Sequence, residues 1–160
     1  MKIDKDTLSL SVAILSFALS SFAIYQTSYH DKISIKPVLG FFENPDDSLP
    51  EVGITVENDG LGPAIIQSVD IFVDHTKVKD WQQAVDYCHI KNPDEADWYE
   101  LEKGDPIRVS QSIPLFFRPT KNRVGLDSFV ECIDKHLGVF ITYDSLDGEH
   151  FTKCSAEGHC

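Results

Sequence analysis

An N-terminal transmembrane helix joined to a mainly antiparallel β-sandwich with two short helices is the fold this sequence predicts. Three observations carry the prediction. Residues Thr7–Tyr29 form an apolar run without a charge. Beyond it the hydrophobic period changes from helical to alternating, in seven or so short segments separated by Gly, Pro, Asn and Asp. Removing the membrane segment from the 160 residues leaves about 130, the size of one domain with a core of its own. The organisation read from this is 1–30 as transmembrane helix or signal anchor and 31–160 as the sandwich domain.

The apolar run is long enough for its task. Its 23 residues span about 34 Å as a helix, against about 30 Å of hydrocarbon. Lys2 and Lys5 flank one side, His30, Lys32 and Lys36 the other, and Tyr25 and Tyr29 take interfacial positions. A cleaved signal peptide would use Leu8–Leu19 as its apolar region and Ser21-Phe22-Ala23 as the cleavage site, but the apolar run continues past that point. An uncleaved single-pass anchor in the bacterial inner membrane is therefore expected. Ser9, Ala13, Ser16, Ser20, Ala23 and Thr27 are spaced 4, 3, 4, 3, 4 and make a seam of small residues. Such seams let helix backbones approach closely in lipid, so a homo-oligomer or a partner transmembrane protein is expected. Lysines flank the helix almost equally on both sides. The free amino terminus tips the expectation towards an extracytoplasmic domain.

Past the helix, Ile33, Ile35 and Val38-Leu39 through Phe42 read as a first, edge strand, and Asn44–Asp47 as a loop. Val52, Ile54 and Val56 alternate as a half-buried strand. Asn58, Gly60, Gly62 and Pro63 make a structural turn, with glycines offering positive φ. Ile65–Val73 is a strand with Val69, Ile71 and Val73 on one face, closed by a turn at Asp74–Lys77. Trp81, Ala84, Val85 and Cys88 then follow helical spacing, with Asp80 as N-cap. Strands are expected around Trp98–Leu101, Ile107–Val109 and Ile113–Phe117. Leu126, Phe129, Val130, Ile133 and Leu137 form a second helical stripe ending at Gly138 as C′ residue. Val139–Tyr143 and His150–Lys153 bracket Asp147-Gly148, a hairpin dipeptide.

Thr55–Gly60, Ala64 and Val69–Asp74 together resemble the start of bacterial immunoglobulin-like modules of the CARDB type, in which an Asn-x-Gly turn joins two core strands. Leu101–Gly104 followed by Ile107 and Val109 is similar to a later part of such modules, and Tyr143-Asp144-Ser145 to their terminal hairpin. The Asn-x-Gly-x-Gly-Pro-Ala form also resembles uncharacterised bacterial single-pass proteins that carry it shortly after an N-terminal helix. The resemblance implies an immunoglobulin-like sandwich that binds or scaffolds and does not catalyse.

Composition narrows the function. With 14 basic and 26 acidic residues the net charge is −12, which argues against nucleic acid as a partner. No phosphate loop, G-x-S-x-G or H-E-x-x-H pattern is present, and a strand follows the glycines of residues 60–62, so no enzyme activity and no cofactor are expected. His150, Cys154, His159 and Cys160 lack the paired spacing of structural zinc, and no metal is expected. Cys88, Cys132, Cys154 and Cys160 suit two disulfides in an oxidising compartment, with Cys88–Cys132 stapling the two helices and Cys154–Cys160 closing a short loop as one pairing. Trp98 and Tyr99, after an acidic loop, are the candidate contact patch. Two functions follow. The first is a membrane-anchored, non-enzymatic interaction or scaffold module oligomerised by its helix. The alternative is a ligand-sensing membrane effector, pore-forming or membrane-disrupting, with a cytosolic head that takes a small molecule of unidentified kind, for example in antiphage defence. An anionic ligand would need Arg108, Arg118, Lys121 and Arg123 to converge.

Overall fold

Why the N-terminal helix stops where it does is a matter of one proline. In the computed structural model, which describes residues 5–34, 36–44, 50–91, 93–121 and 123–156, helix α1 spans Lys5–Ser34. It holds no Gly or Pro to interrupt its backbone ladder. Pro37 disfavours helical geometry at Lys36, and the helix ends just before. Ile33 therefore belongs to α1 and not to the first strand, and Ile35 lies outside the described residues. The stretch Ser9–Tyr29 is long and apolar enough to cross a membrane, and none of it is buried. The chain divides into two units, Met1–Ser34 and Ile35–Cys160.

The second unit, the head, is built on two antiparallel sheets. Its strands are β1 (Leu39–Asn44), β2 (Glu51–Asn58), β3 (Ala64–Val73), β4 (Thr76–Val78), β5 (Asp97–Trp98), β6 (Pro106–Ile107), β7 (Ser112–Pro119), β8 (Leu137–Asp144) and β9 (His150–Cys154). One sheet runs β1-β2-β7-β5. The other runs β4-β3-β8-β9, with β6 also on β3. β1 is an edge strand, as expected, although it starts later than its apolar pattern suggested. Of the loop expected after it, Asn44 is the last residue of β1 and 45–49 lie outside the described residues.

Side chains from both sheets bury one core. Val52, Ile54 and Val56 enter it from β2, and Val139, Ile141 and Tyr143 from β8. Two strands change phase on the way. In β3 a bulge between Ile66 and Ser68 lets Ala64 and Ile66 face inward before it and Ile71 and Val73 after it. In β7 the ladder skips Leu115, so Ile113 is inward before the bulge and Phe116 and Arg118 after it. A charged residue thereby reaches the interior.

Two further helices close the end of the core where β7 finishes and β8 begins. In α2 (Trp81–Tyr87) the Asp80 carboxylate accepts from the Gln83 N–H at 2.9 Å, and Trp81, Ala84 and Val85 are buried. Helix α3 (Leu126–Lys135) buries Leu126, Phe129, Cys132 and Ile133. The helix stops at His136, and Gly138 sits inside β8 opposite Phe72, not at a helix cap; burial of Leu137 opposite Val73 starts the strand first. The Trp81 ring stacks on Phe116 with centroids 5.2 Å apart, and Phe116 meets Phe129 at 4.8 Å. Cys88 and Cys132 join α2 to α3 in a disulfide with Cα atoms 5.6 Å apart. On the solvent side of α3 the Lys135 ammonium donates to Glu131 at 2.9 Å, a hydrogen bond that lowers the Glu131 pKa and raises that of Lys135.

Arg118 is the one fully buried cation among the described residues. Its guanidinium donates to the Lys91 carbonyl (3.1 Å), to the Val124 carbonyl (2.7 Å) and to the Glu95 carboxylate. It thereby holds together three irregular segments, two of which flank the helices. Nε has no partner among the described residues. Arg118→Ala strands the two carbonyls and is expected to cost about 3 kcal/mol in urea unfolding. Replacing Cys88 and Cys132 together by Ala opens a loop with a sequence separation of 44. The chain-entropy relation puts the expected loss at about 4 kcal/mol, and reduction of the wild type should lower its unfolding midpoint in the same direction.

Candidate functional site

Helix α1 presents the small-residue seam with the Ser16, Ser20 and Thr27 hydroxyls bonded back to its own backbone. The hydroxyls of Ser16, Ser20 and Thr27 donate to the carbonyls of Val12, Ser16 and Ala23, four residues earlier, at 2.8, 2.8 and 3.0 Å. Ser21 does the same to Phe17 at 2.9 Å. This back-bonding satisfies each hydroxyl within the helix, while its second lone pair stays free to accept from a neighbouring helix. Ser9, Ala13, Ser16, Ser20, Ala23 and Thr27 are all exposed along α1.

In the head, the turn residues singled out from the sequence form its most densely bonded cluster. The Asn58 side chain is wholly buried and uses its full capacity. Its Nδ2 donates to the carbonyls of Gly62 (2.8 Å) and Ile107 (2.9 Å). Its Oδ1 accepts from the N–H groups of Gly60 (3.0 Å) and Val38 (3.2 Å). The Asn58 backbone adds bonds to the β6–β7 turn, with N–H donating to Gln111 O (3.1 Å) and O accepting from Ser110 N (2.8 Å).

Val38 belongs to the strap Lys36–Val38, the first described stretch of the head. The turn grips it through the backbone. Asp59 N–H donates to Val38 O at 2.9 Å and Leu61 N–H to Lys36 O at 3.0 Å. Lys36 Nζ pairs with Glu149 at 2.8 Å, and Leu39 N–H donates to the buried Tyr143 hydroxyl at 3.4 Å. Gly60 is required here for space. A Cβ on it would lie 2.3 Å from Val38 N and 2.5 Å from Lys36 O. The expectation that the turn exploits positive φ fails for Gly60 and Gly62, since among the described residues the glycines with positive φ are Gly104, Gly125 and Gly148. The strap itself was missed, because nothing local marks residues 36–38 as partners of a turn twenty residues on.

The other candidates separate. Trp98 packs half-buried against the core, whereas Tyr99 is exposed and lines a groove of about 250 Å³ with Lys79, Glu100 and Leu101. A wider groove of about 550 Å³ is lined by Asp94, Glu95, Asp97, Phe117 and Lys121. Cys154 is disulfide-bonded like Cys88 and Cys132, and Cys160 lies outside the described residues. No group of three His, Cys, Asp or Glu placed to hold a metal ion occurs among the described residues. Arg118, one of the four cations that an anionic ligand would need to converge, is buried and bonded to Glu95, Lys91 and Val124, so it is not part of a surface site. The strand expected around Ile113–Phe117 continues through Arg118 to Pro119, and the bulge at Leu115 turns Arg118 inward.

Compared with models of known protein families, with curated proteins and with solved structures, the chain matches none.

The geometry of the turn makes two expectations. Gly60→Ala should cost about 2 kcal/mol, by driving the strap off the turn. Asn58→Asp should destabilise at neutral pH, because one carboxylate oxygen then faces the Gly62 and Ile107 carbonyls. Those oxygens raise the folded-state pKa of the new Asp above its unfolded value of about 4. The deficit relative to wild type should therefore be smallest below pH ~4 and grow as pH rises through the folded-state pKa, read by chemical denaturation across pH.

Proposed function

We propose that the chain is a single-pass, non-enzymatic interaction module of the bacterial inner membrane, in which α1 anchors and oligomerises an immunoglobulin-like head that binds or scaffolds a protein partner. The observation that carries the reading is the state of the helix. From Ser9 to Tyr29 its side chains are exposed, and Ser16, Ser20, Ser21 and Thr27 hydroxyls are satisfied by its own carbonyls. Such a segment enters lipid with these four hydroxyls already bonded, and its small-residue seam suits a second helix. Two antiparallel sheets around one core support the sandwich reading of the head. The resemblance of the Asn58–Ala64 turn to CARDB-type modules supports the finer, immunoglobulin-like one. The disulfide between Cys88 and Cys132 supports an extracytoplasmic side, because cytosolic thiols are kept reduced.

Sidedness is tested by fusing alkaline phosphatase or a fluorescent protein to the C-terminus in intact bacteria. Phosphatase activity is the expected result. Fluorescence without phosphatase activity would overturn the extracytoplasmic placement and favour the ligand-sensing effector. Oligomerisation is tested with Ser16→Leu combined with Ser20→Leu, expected to weaken self-association in detergent or bilayers about tenfold, the equivalent of ~1–2 kcal/mol of helix packing. Unchanged association in that variant counts against the seam.

A further inference from the structure

Turn tips are ordinarily polar, since Gly, Pro, Asn, Asp and Ser supply the geometry and water surrounds them. At one end of the head three turns break that pattern together. The β2–β3 turn carries Leu61, 68% exposed; the β6–β7 turn Val109, 45%; and the β8–β9 turn Leu146, 63%. The strap between them adds Val38, 55% exposed. Single exposed aliphatics are commonplace on a protein surface, but a set at one end is not.

Their common location follows from hydrogen bonds. Leu61 N–H donates to Lys36 O of the strap at 3.0 Å. The Val109 turn is closed by Gln111 N–H to Arg108 O (3.0 Å) and tied to Asn58 through Ser110 N–H at 2.8 Å. The Leu146 turn is closed by Gly148 N–H to Ser145 O (3.1 Å), and Glu149 beside it pairs with Lys36 at 2.8 Å. All three turns thus lie at the end of the head that holds Lys36–Val38. Among the described residues, the other exposed large apolar side chains of the head are dispersed, with Phe42 on β1, Tyr87 on α2, Tyr99 after β5 and Val124 between β7 and α3.

We propose that Leu61, Val109, Leu146 and Val38 form a lipid-contacting face, by which this end of the head seats in the interfacial layer of the bilayer that α1 crosses. The inference rests on the anchor reading above. Covalent connection identifies the occupant. The apolar span ends at Tyr29, helix α1 at Ser34, and the strap is bonded to the turns from Lys36, so at most about 15 Å of chain separates the span from the strap. The side chains agree with lipid. They are all aliphatic, whereas the anchors of protein interfaces are enriched in Trp, Tyr and Arg, and Leu and Val are under-represented there. Lys36 and Arg108 have long apolar stems that let a cation stay at headgroup level while the stem lies in the interface. Asp59, Asp147 and Glu149 share the end, so seating depends on apolar insertion and not on anionic lipid.

The test uses the full chain reconstituted in phosphatidylcholine vesicles, with Leu61→Trp, Val109→Trp, Leu146→Trp, Val124→Trp and Phe17→Trp made singly. Wild-type fluorescence from Trp81 and Trp98 is subtracted, and each variant must keep the wild-type urea midpoint. Tryptophan at 61, 109 and 146 is expected to lose about half its emission to lipid brominated near the headgroup, while tryptophan at 124 responds to aqueous acrylamide alone. Acrylamide quenching at 61, 109 and 146 equal to that at 124, or shielding from both quenchers as in a protein contact, overturns the proposal. Phe17→Trp separates the two readings. Quenching there by lipid brominated deep in the chain shows the anchor standing even where the face fails; its absence removes the anchor and the proposal together.

Discussion

The head depends on one side-chain amide. Asn58 sits at the end of β2 where four stretches of chain meet, and each needs a partner for a buried backbone group. The amide is the side chain that offers two donors and two acceptors in one plane, and here every one is used. Asp or Leu of similar size lacks the donors or all polarity. The two sheets are joined at this point: β2 belongs to one, while Ile107 on β6 and the Gly62 carbonyl just before β3 belong to the other. A buried network of this kind is stabilising because it is complete, and losing any member leaves polar groups in a medium that cannot hydrate them.

The opposite end solves the same problem with a charge and a covalent bond. The segments around α2 and α3 have little regular structure, so their carbonyls need donors from elsewhere. The Arg118 guanidinium supplies them, and Glu95 balances its charge. The disulfide then fixes the spacing of the two helices that cover Phe116. Between these ends the core is plain aliphatic and aromatic packing, with no polar side chain required to define it.

Much of this was legible from residues alone because the signals were local. Alternation at Val52–Val56, the helical stripe from Trp81, the Asp80 cap and the Asp147-Gly148 hairpin each depend on neighbours within a few positions. The misses share a cause. A bulge at Gln67 or Leu115 shifts the phase of a strand, and no residue type announces it, so Arg118 read as surface. Gly60 was legible as necessary but not for its reason, since the obstacle to a side chain is Val38, distant in sequence. The start of the first strand was misjudged because Ile33 fits a helix as well as a strand, and only Pro37 decides between them. Of the proposed surfaces, the seam could be read from spacing, whereas the gathering of Leu61, Val109 and Leu146 needs the fold.

The strap has a mechanical consequence. β1 leaves it and runs towards the end of the head where β9 finishes at Cys154. Tension applied between Lys36 and Cys154 acts along the axis of β1, while the bonds that hold β1 to β2 lie across that axis. The rungs from Leu39↔Asn58 to Asn44↔Gly53 are therefore loaded side by side and must yield together, not peel one after another. A head loaded in this way resists force applied between its first strand and its last.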